Sequence, residues 1–210
     1  MNENIKEKKK KGVLRENLEA IIFALVLALI IRAFVVQAYK IPSGSMLDTL
    51  LIGDHILVNK FIYGVRMPFT NKTIIPVSKP ERGDIVVFKA PVDPPKDFIK
   101  RVIGLPGDKI EIRNKKLYIN DKRFSSEPYA KYEDPKIYKG FLNPRDNFGP
   151  ITVPDNSYFM MGDNRDNSTD SRFLGCIEYE RLKGEAFILY WSWENNGFGV
   201  RWKRIGKILK

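Results

Sequence analysis

Serine and lysine are the residue types that this chain can use for covalent chemistry. His55 is the only histidine and Cys176 the only cysteine. A His-rich metal site, a zinc site and an intrachain disulfide are therefore excluded. HExxH, CxxC and GxSxG runs are missing, which removes several hydrolase classes. A Ser-His-Asp triad would have to use His55. Its context, Gly53-Asp54-His55-Ile56-Leu57-Val58, reads as the start of a strand with a structural imidazole. A serine can instead be activated by a lysine that is neutral at working pH. Burial achieves this. Bringing a lysine from ~10.4 to about 7–8 costs on the order of 4 kcal/mol, so apolar walls are needed.

Lys100 has such walls. In an extended strand Phe98, Lys100 and Val102 share one face, and Ile99, Arg101 and Ile103 the other. Lys60 is the second candidate, since Ile56 and Val58 share its face, but it ends its strand. The notable serine run is Pro42-Ser43-Gly44-Ser45-Met46. Gly44 permits a sharp backbone, and two serines two apart suit one attacking and one donating hydroxyl. An ordinary Ser/Gly-rich loop would look the same. The SxxK spacing of penicillin-recognising enzymes does not occur in the chain. The densest polar stretch, Gly162 to Arg172, follows an apolar run and precedes Phe173-Leu174-Gly175. Asp170 and Arg172 are spaced to pair across a tight turn, and its Asp, Asn and Ser side chains can fix the loop through backbone bonds.

These candidates need elements to hold them. Short β-rich runs with turns between them cover the chain from Tyr39 onward: 55–60, 84–89, 97–103, 109–113, 116–120, 157–161 and 185–191. Asn114-Lys115 reads as a two-residue hairpin loop, and Leu105-Pro106-Gly107-Asp108 as a turn. Residues 125–150 hold four prolines without alternation and read as an irregular insertion.

Ahead of the β region lies an apolar segment, taken as a transmembrane anchor over residues 16–36. Leu18 to Val36 is 19 residues interrupted by Glu19 and Arg32. As a helix it would reach roughly 28 Å, near the thickness of a hydrocarbon core. The basic tail of residues 1–15 places itself in the cytoplasm and residues 37–210 outside. A cleavable signal peptide ending at Val36-Gln37-Ala38 is the alternative. The apolar run past Arg32 favours the anchor.

Formal charge is 36 − 25 = +11. Residues 1–15 hold six basic and two acidic side chains (+4), and 201–210 hold five basic and none acidic (+5). The span 16–200 is thus only 25 − 23 = +2. A nucleic-acid partner is not expected from so neutral a body. Trp191, Trp193 and Trp202, with the basic segment from Arg201, suit either lipid headgroups or the core.

Taken in order, the anchor, 42–46, 53–60, Arg82-Gly83-Asp84-Ile85-Val86-Val87-Phe88, 100–108 and 162–172 closely resemble type I signal peptidases, membrane-bound serine proteases. The resemblance implies a mainly β fold: an antiparallel β-sheet catalytic domain with a variable insertion, on one N-terminal transmembrane helix. It implies Ser45 as nucleophile and Lys100 as general base. Ser43 and the Ser45 N–H would form the oxyanion hole, and Ser168 would orient the lysine. Asp170, Arg172 and Arg101 would support the site, and Ile41, Met46, Val87 and Ile99 would line shallow pockets for small side chains. It implies cleavage of preprotein signal peptides after small-x-small sites, without metal or cofactor. Membrane lipid and the secretion translocon are the partners it implies, and the outer side of a bacterial inner membrane the location. A membrane-tethered protein that holds exported segments without cutting them is the competing reading. One departure is Asp48, where the family usually has a proline that would stiffen the turn.

Overall fold

The computed structural model describes residues 13–66, 73–75, 77–92, 94–194 and 199–209. Its elements are helix α1 (Val13–Phe34), strands β1 (Val36–Lys40), β2 (Asp54–Asn59), β3 (Val65–Arg66), β4 (Thr73–Ile75), β5 (Ile85–Lys89), β6 (Asp97–Gly104), β7 (Lys109–Arg113), β8 (Lys116–Ile119), β9 (Lys122–Arg123), β10 (Phe148–Thr152) and β11 (Ser157–Met161), helix α2 (Ser171–Leu174), and strands β12 (Ile177–Glu178), β13 (Leu182–Ser192) and β14 (Lys207–Ile208). All strand pairs are antiparallel. The main sheet runs β1-β2-β13-β5-β6-β11-β12, with β14 on β13. A second sheet runs β10-β7-β8-β9, and β3 pairs with β4. The fold is mainly β, as the short runs and turn signals predict.

The continuous apolar run of β5 explains its central place, because it is covered on both faces. Ile85 and Val87 pack with Ile41, Met46, Leu50, Ile56 and Val58. Val86 and Phe88 pack on the opposite side with Tyr63, Val102, Tyr158 and Leu182. In the second sheet the alternation of β7 and β8 turns Ile110, Ile112, Leu117 and Ile119 inward against Ile103, Phe159 and Met161. Asn114 and Lys115 both take left-handed φ, 48° and 64°, the geometry of the two-residue hairpin read from the sequence. At the 105–108 turn Gly107 has φ 84° and Asp108 N–H donates to Leu105 O at 3.0 Å. Proline then glycine at the centre is what such a turn requires.

The apolar helix ends earlier than residue 36. Val36 already pairs with Asn59, and Lys60 N–H donates to Val35 O at 2.9 Å, so sheet pairing captures this end of the segment. Leu18, Ile21, Phe23 and Leu25 on α1 are exposed. Among the described residues no helix is long and apolar enough to cross a membrane. The 125–150 stretch is irregular, as read, up to its last residues. Phe148–Pro150 belong to β10, which pairs with β7 across a register shift.

Candidate active site

Ser45 lies in the turn that follows β1. The turn is tied by Leu47 N–H to Gly44 O at 3.2 Å and Leu50 N–H to Met46 O at 2.7 Å. Met46 and Leu50 are wholly buried and anchor it to the core. Lys100 comes from the middle of β6, opposite Val86 on β5. Its Nζ donates to Ser45 Oγ at 2.7 Å and to Ile99 O at 3.0 Å, and lies 5.3 Å from the centre of the Phe98 ring. Only 3% of Lys100 is exposed. Burial pushes its ammonium down to about 8, against the opposing pull of the Asp170 and Asp163 carboxylates, and the Arg172 charge pushes it further down. The structure thus brings together a serine and a lysine 55 positions apart in the chain.

Behind the pair stand two buried arginine–carboxylate forks. Arg101, on the opposite face of β6, donates from Nε and Nη2 to Asp163 at 2.8 and 2.7 Å, and its Cζ lies 3.9 Å from the centre of the Tyr129 ring. Thr49 of the serine turn donates to the same carboxylate at 2.6 Å. Arg172 donates from Nε and Nη2 to Asp170 at 2.9 and 2.8 Å. Burial alone would raise the Asp170 carboxyl; the Arg172 charge and hydrogen bonds and the Gly162 N–H hold it below its usual range. Planar bidentate geometry suits arginine. Removing one partner leaves an uncompensated buried charge. Asp163→Ala should cost about 3–5 kcal/mol, measured as a lowered urea midpoint. Replacing Arg101 and Asp163 together by methionine should recover most of it. A single variant as stable as wild type would show that Arg101 finds other compensation.

Ser168 follows in the loop between β11 and α2. Its Oγ is buried beside the Asp170 carboxylate, which it helps to hold down. The orienting bond to Lys100 expected of it is not formed among the described residues, where Lys100 Nζ is engaged by Ser45 and Ile99. Gly162 explains how tightly the loop closes. A Cβ there would fall 2.3 Å from Ser168 Oγ and 2.4 Å from Ser45 O. Gly162→Ala should therefore displace the Ser45 turn and, with Ser45 as the nucleophile that the sequence resemblance implies, lower turnover at least about 10²-fold, the cost of a misplaced reacting group. Wild-type turnover in a folded Gly162→Ala protein would show that the turn yields without consequence.

Ile41, Met46 and Val87 are buried in one core, with Ile99 packed on it. Ser43 is exposed, two residues before Ser45. His55 meets Tyr190 edge-on at 5.9 Å on β2. The Lys60 ammonium is lowered by burial and by the nearby Lys183 charge, but it is Lys100 that bonds Ser45. Trp191 stacks edge-on with Trp193 and Trp202 at 5.4 and 5.8 Å, outside the three cores. Trp202 is 70% exposed. The basic segment after it is only partly free to face lipid. Arg204 donates to the buried Asp54 at 2.6 Å, and Arg201 to Ser192 at 2.7 Å, while Lys203 and Lys207 face out.

Asp163 and Asn164 are the site residues that the sequence reading did not single out. The signal for them was the placement of Gly162-Asp163-Asn164 directly after the wholly buried β11, where polar groups must find internal partners.

An antiparallel β domain that buries a lysine against a serine hydroxyl has the make-up of a hydrolase, and comparison with known proteins narrows the class to a serine endopeptidase. Residues 14–191 match the model of the family described as "Signal peptidase, peptidase S26". Signal peptidase I from Buchnera aphidicola of Schizaphis graminum is 40% identical over 85% of this chain and 77% of its own length. Signal peptidase I from Pseudomonas fluorescens is 38% identical over 90% and 76%. Signal peptidase I P from Bacillus subtilis subsp. natto is 40% identical over 88% and 93%. A solved signal peptidase I structure from Enterococcus faecalis is 32% identical, with a TM-score of 0.42, over 51% of this chain and 97% of its own. The chain belongs to the signal peptidase family, peptidase S26.

Proposed function

We propose that this endopeptidase removes signal peptides from exported preproteins after small-x-small sites, with Ser45 as nucleophile and Lys100 as general base. The observation that carries the reading is the 2.7 Å contact between Ser45 Oγ and a buried lysine whose ammonium is pushed down to about 8. Neutral Lys100 takes the Ser45 proton as Oγ attacks the scissile carbonyl. The oxyanion is received by the Ser45 N–H and the Ser43 hydroxyl. The C–N bond breaks as the lysine returns that proton to the leaving amine. Lys100 then takes a proton from a water whose oxygen attacks the acyl carbon, and the ester C–O bond breaks as the lysine returns that proton to Ser45 Oγ. To orient the lysine in this scheme Ser168 would turn its hydroxyl from Asp170 to Nζ as Nζ leaves Ile99 O, and Asp170, Arg172 and Arg101 hold the supporting loops.

Substrate selection rests on strand addition. Strand β11 pairs with β6 through Arg101–Gly104, which leaves the edge of Asp97–Lys100 away from β5 for an extended substrate. Alternate side chains would then point at Ile41, Met46, Val87 and Ile99, whose close packing suits small residues. The exposed apolar side chains of α1 support its role as a single membrane anchor, with residues 1–15 cytoplasmic and residues 37–210 on the outer side of the bacterial inner membrane. Membrane lipid and the secretion translocon are the neighbours this location provides. The detergent-solubilised full chain, incubated with a preprotein, should make one cut after a small-x-small site. An intact preprotein, or cuts at other sites, would reject the reading. Protease added to spheroplasts should digest the β domain, and its protection would reverse the orientation.

A further inference from the structure

Asn164 is wholly buried and reaches the serine turn from 120 positions away. Its Nδ2 donates to Gly44 O at 3.2 Å and its backbone N–H to Ser45 O at 3.1 Å. The direction of the side-chain amide is fixed by its surroundings. Nδ2 faces two acceptors, Gly44 O and, at 3.5 Å, Glu133 Oε2. Oδ1 is buried and has no hydrogen-bond partner among the described residues. Turning the amide over would set oxygen against both acceptors. An orphaned buried oxygen is unfavourable, so something must outweigh it.

The bond to Gly44 O has a consequence for the next residue. Gly44 C=O and Ser45 N–H belong to one planar trans peptide, in which the two groups point in opposite directions. A donor that holds the carbonyl from one side therefore aims the N–H to the other. Leu47 N–H also donates to Gly44 O, at 3.2 Å, but it belongs to the same turn and moves with it. Asn164 ties the peptide to the rest of the domain. Among the described residues the Ser45 N–H donates to no protein acceptor.

We propose that Asn164 is a positioning residue that sets the Gly44–Ser45 peptide plane and so aims the Ser45 N–H at the oxyanion. This rests on the reading of Ser45 as nucleophile. Asn164 acts through the backbone and makes no hydrogen bond to Lys100 among the described residues, so its effect falls on the transition state, where the oxyanion exists.

The test uses the purified full chain in detergent, with Asn164→Asp and Asn164→Ala. Asn164→Asp is the sharper variant, since it keeps the size and places an oxygen against Gly44 O. Preprotein cleavage should lose about 10- to 100-fold in kcat, the range for a weakened oxyanion donor, with KM within about twofold. The acidic limb of the pH profile should stay in place in Asn164→Ala, while in Asn164→Asp an added carboxylate near the dyad moves it upward as Asp163 and Asp170 do. A peptide boronate, which forms a tetrahedral adduct on a serine, should lose affinity by a similar factor, while an uncleavable peptide binds as before. A folded variant with wild-type kcat overturns the proposal. So does a loss of kcat in Asn164→Ala accompanied by a shifted pH limb, or weakened peptide binding in either variant, which would mark a general loosening of the turn. If Ser45→Ala still cleaves, it is the nucleophile reading that has failed. Should neither Asn164 variant fold, a crystal structure of the wild-type boronate adduct decides. The Asn164 to Gly44 bond must persist there with Ser45 N–H on the adduct oxygen, and a Gly44 carbonyl turned away from Asn164 overturns the proposal.

Discussion

Ser45→Ala, Lys100→Ala and Lys100→Arg should each lower preprotein cleavage by at least about 10⁴-fold, and Ser45→Ala combined with Lys100→Ala should be no worse than either alone, because nucleophile and base act as a unit. In the proposed scheme Ser45→Ala removes the atom that forms the acyl bond. Lys100→Ala removes the acceptor of its proton, 2.7 Å away. Lys100→Arg is the more telling variant. It keeps a cation and a long stem, but a guanidinium does not give up a proton in this range and so cannot serve as a base. His55→Ala should keep most of the activity, since His55 packs on Tyr190 and the scheme has no imidazole step. The measurement is single-turnover cleavage of a preprotein by folded variants. Wild-type cleavage by Lys100→Arg would reject the dyad, and loss of activity in a folded His55→Ala protein would restore a histidine mechanism.

The parts of this site that were legible in the sequence are those set by local pattern. Alternation along 97–103 put Phe98, Lys100 and Val102 on one face and Arg101 on the other. In the structure Lys100 lies beside Phe98, and Arg101 turns away to Asp163. The hairpin at Asn114-Lys115 and the turn at Pro106-Gly107 follow from φ preferences that belong to single residues. What was not legible depends on contacts between distant segments. The partners of Asp163 are Arg101 and Thr49, 62 and 114 positions away. Val36 looked like the end of an apolar helix because its side chain suits both helix and strand, and its pairing with Asn59 decides between them. Arg201 and Arg204 looked like a free basic tail, yet they turn inward because Asp54 is buried and needs charge compensation. The irregular 125–150 stretch has no periodicity to read. It nonetheless lays Tyr129 on Arg101, and Lys131 N–H donates to Asp163 O at 2.7 Å.

The burial that would let Lys100 act as the proposed base should also make it a liability to stability, and both effects should appear in the pH dependence. In the proposed dyad neutral lysine is the active form, so cleavage should rise about tenfold per pH unit below about 8 and level off above it. Phe98→Asp puts a negative charge where an apolar ring stands 5.3 Å from Nζ, which favours the ammonium and should move this limb upward. For stability the sign follows from proton binding. Lys100 is held at about 8 in the folded protein against its ordinary 10.5. Between these values the unfolded chain binds more protons, so the Lys100 contribution to stability rises with pH across that window. Below about 8 the whole penalty is present, about 3 kcal/mol from the size of the displacement. Lys100→Met keeps the apolar stem and removes the charge. It should gain about 1–3 kcal/mol at pH 7, allowing for the donor lost to Ser45 Oγ and Ile99 O, and be inactive. The gain should shrink as pH rises from 8 toward 10.5. Urea unfolding of wild type and Lys100→Met at pH 7 and pH 10 measures this directly. An equal difference at the two pH values, or a Lys100→Met protein less stable at pH 7, would mean that Lys100 is solvated and is not driven toward neutrality by its surroundings.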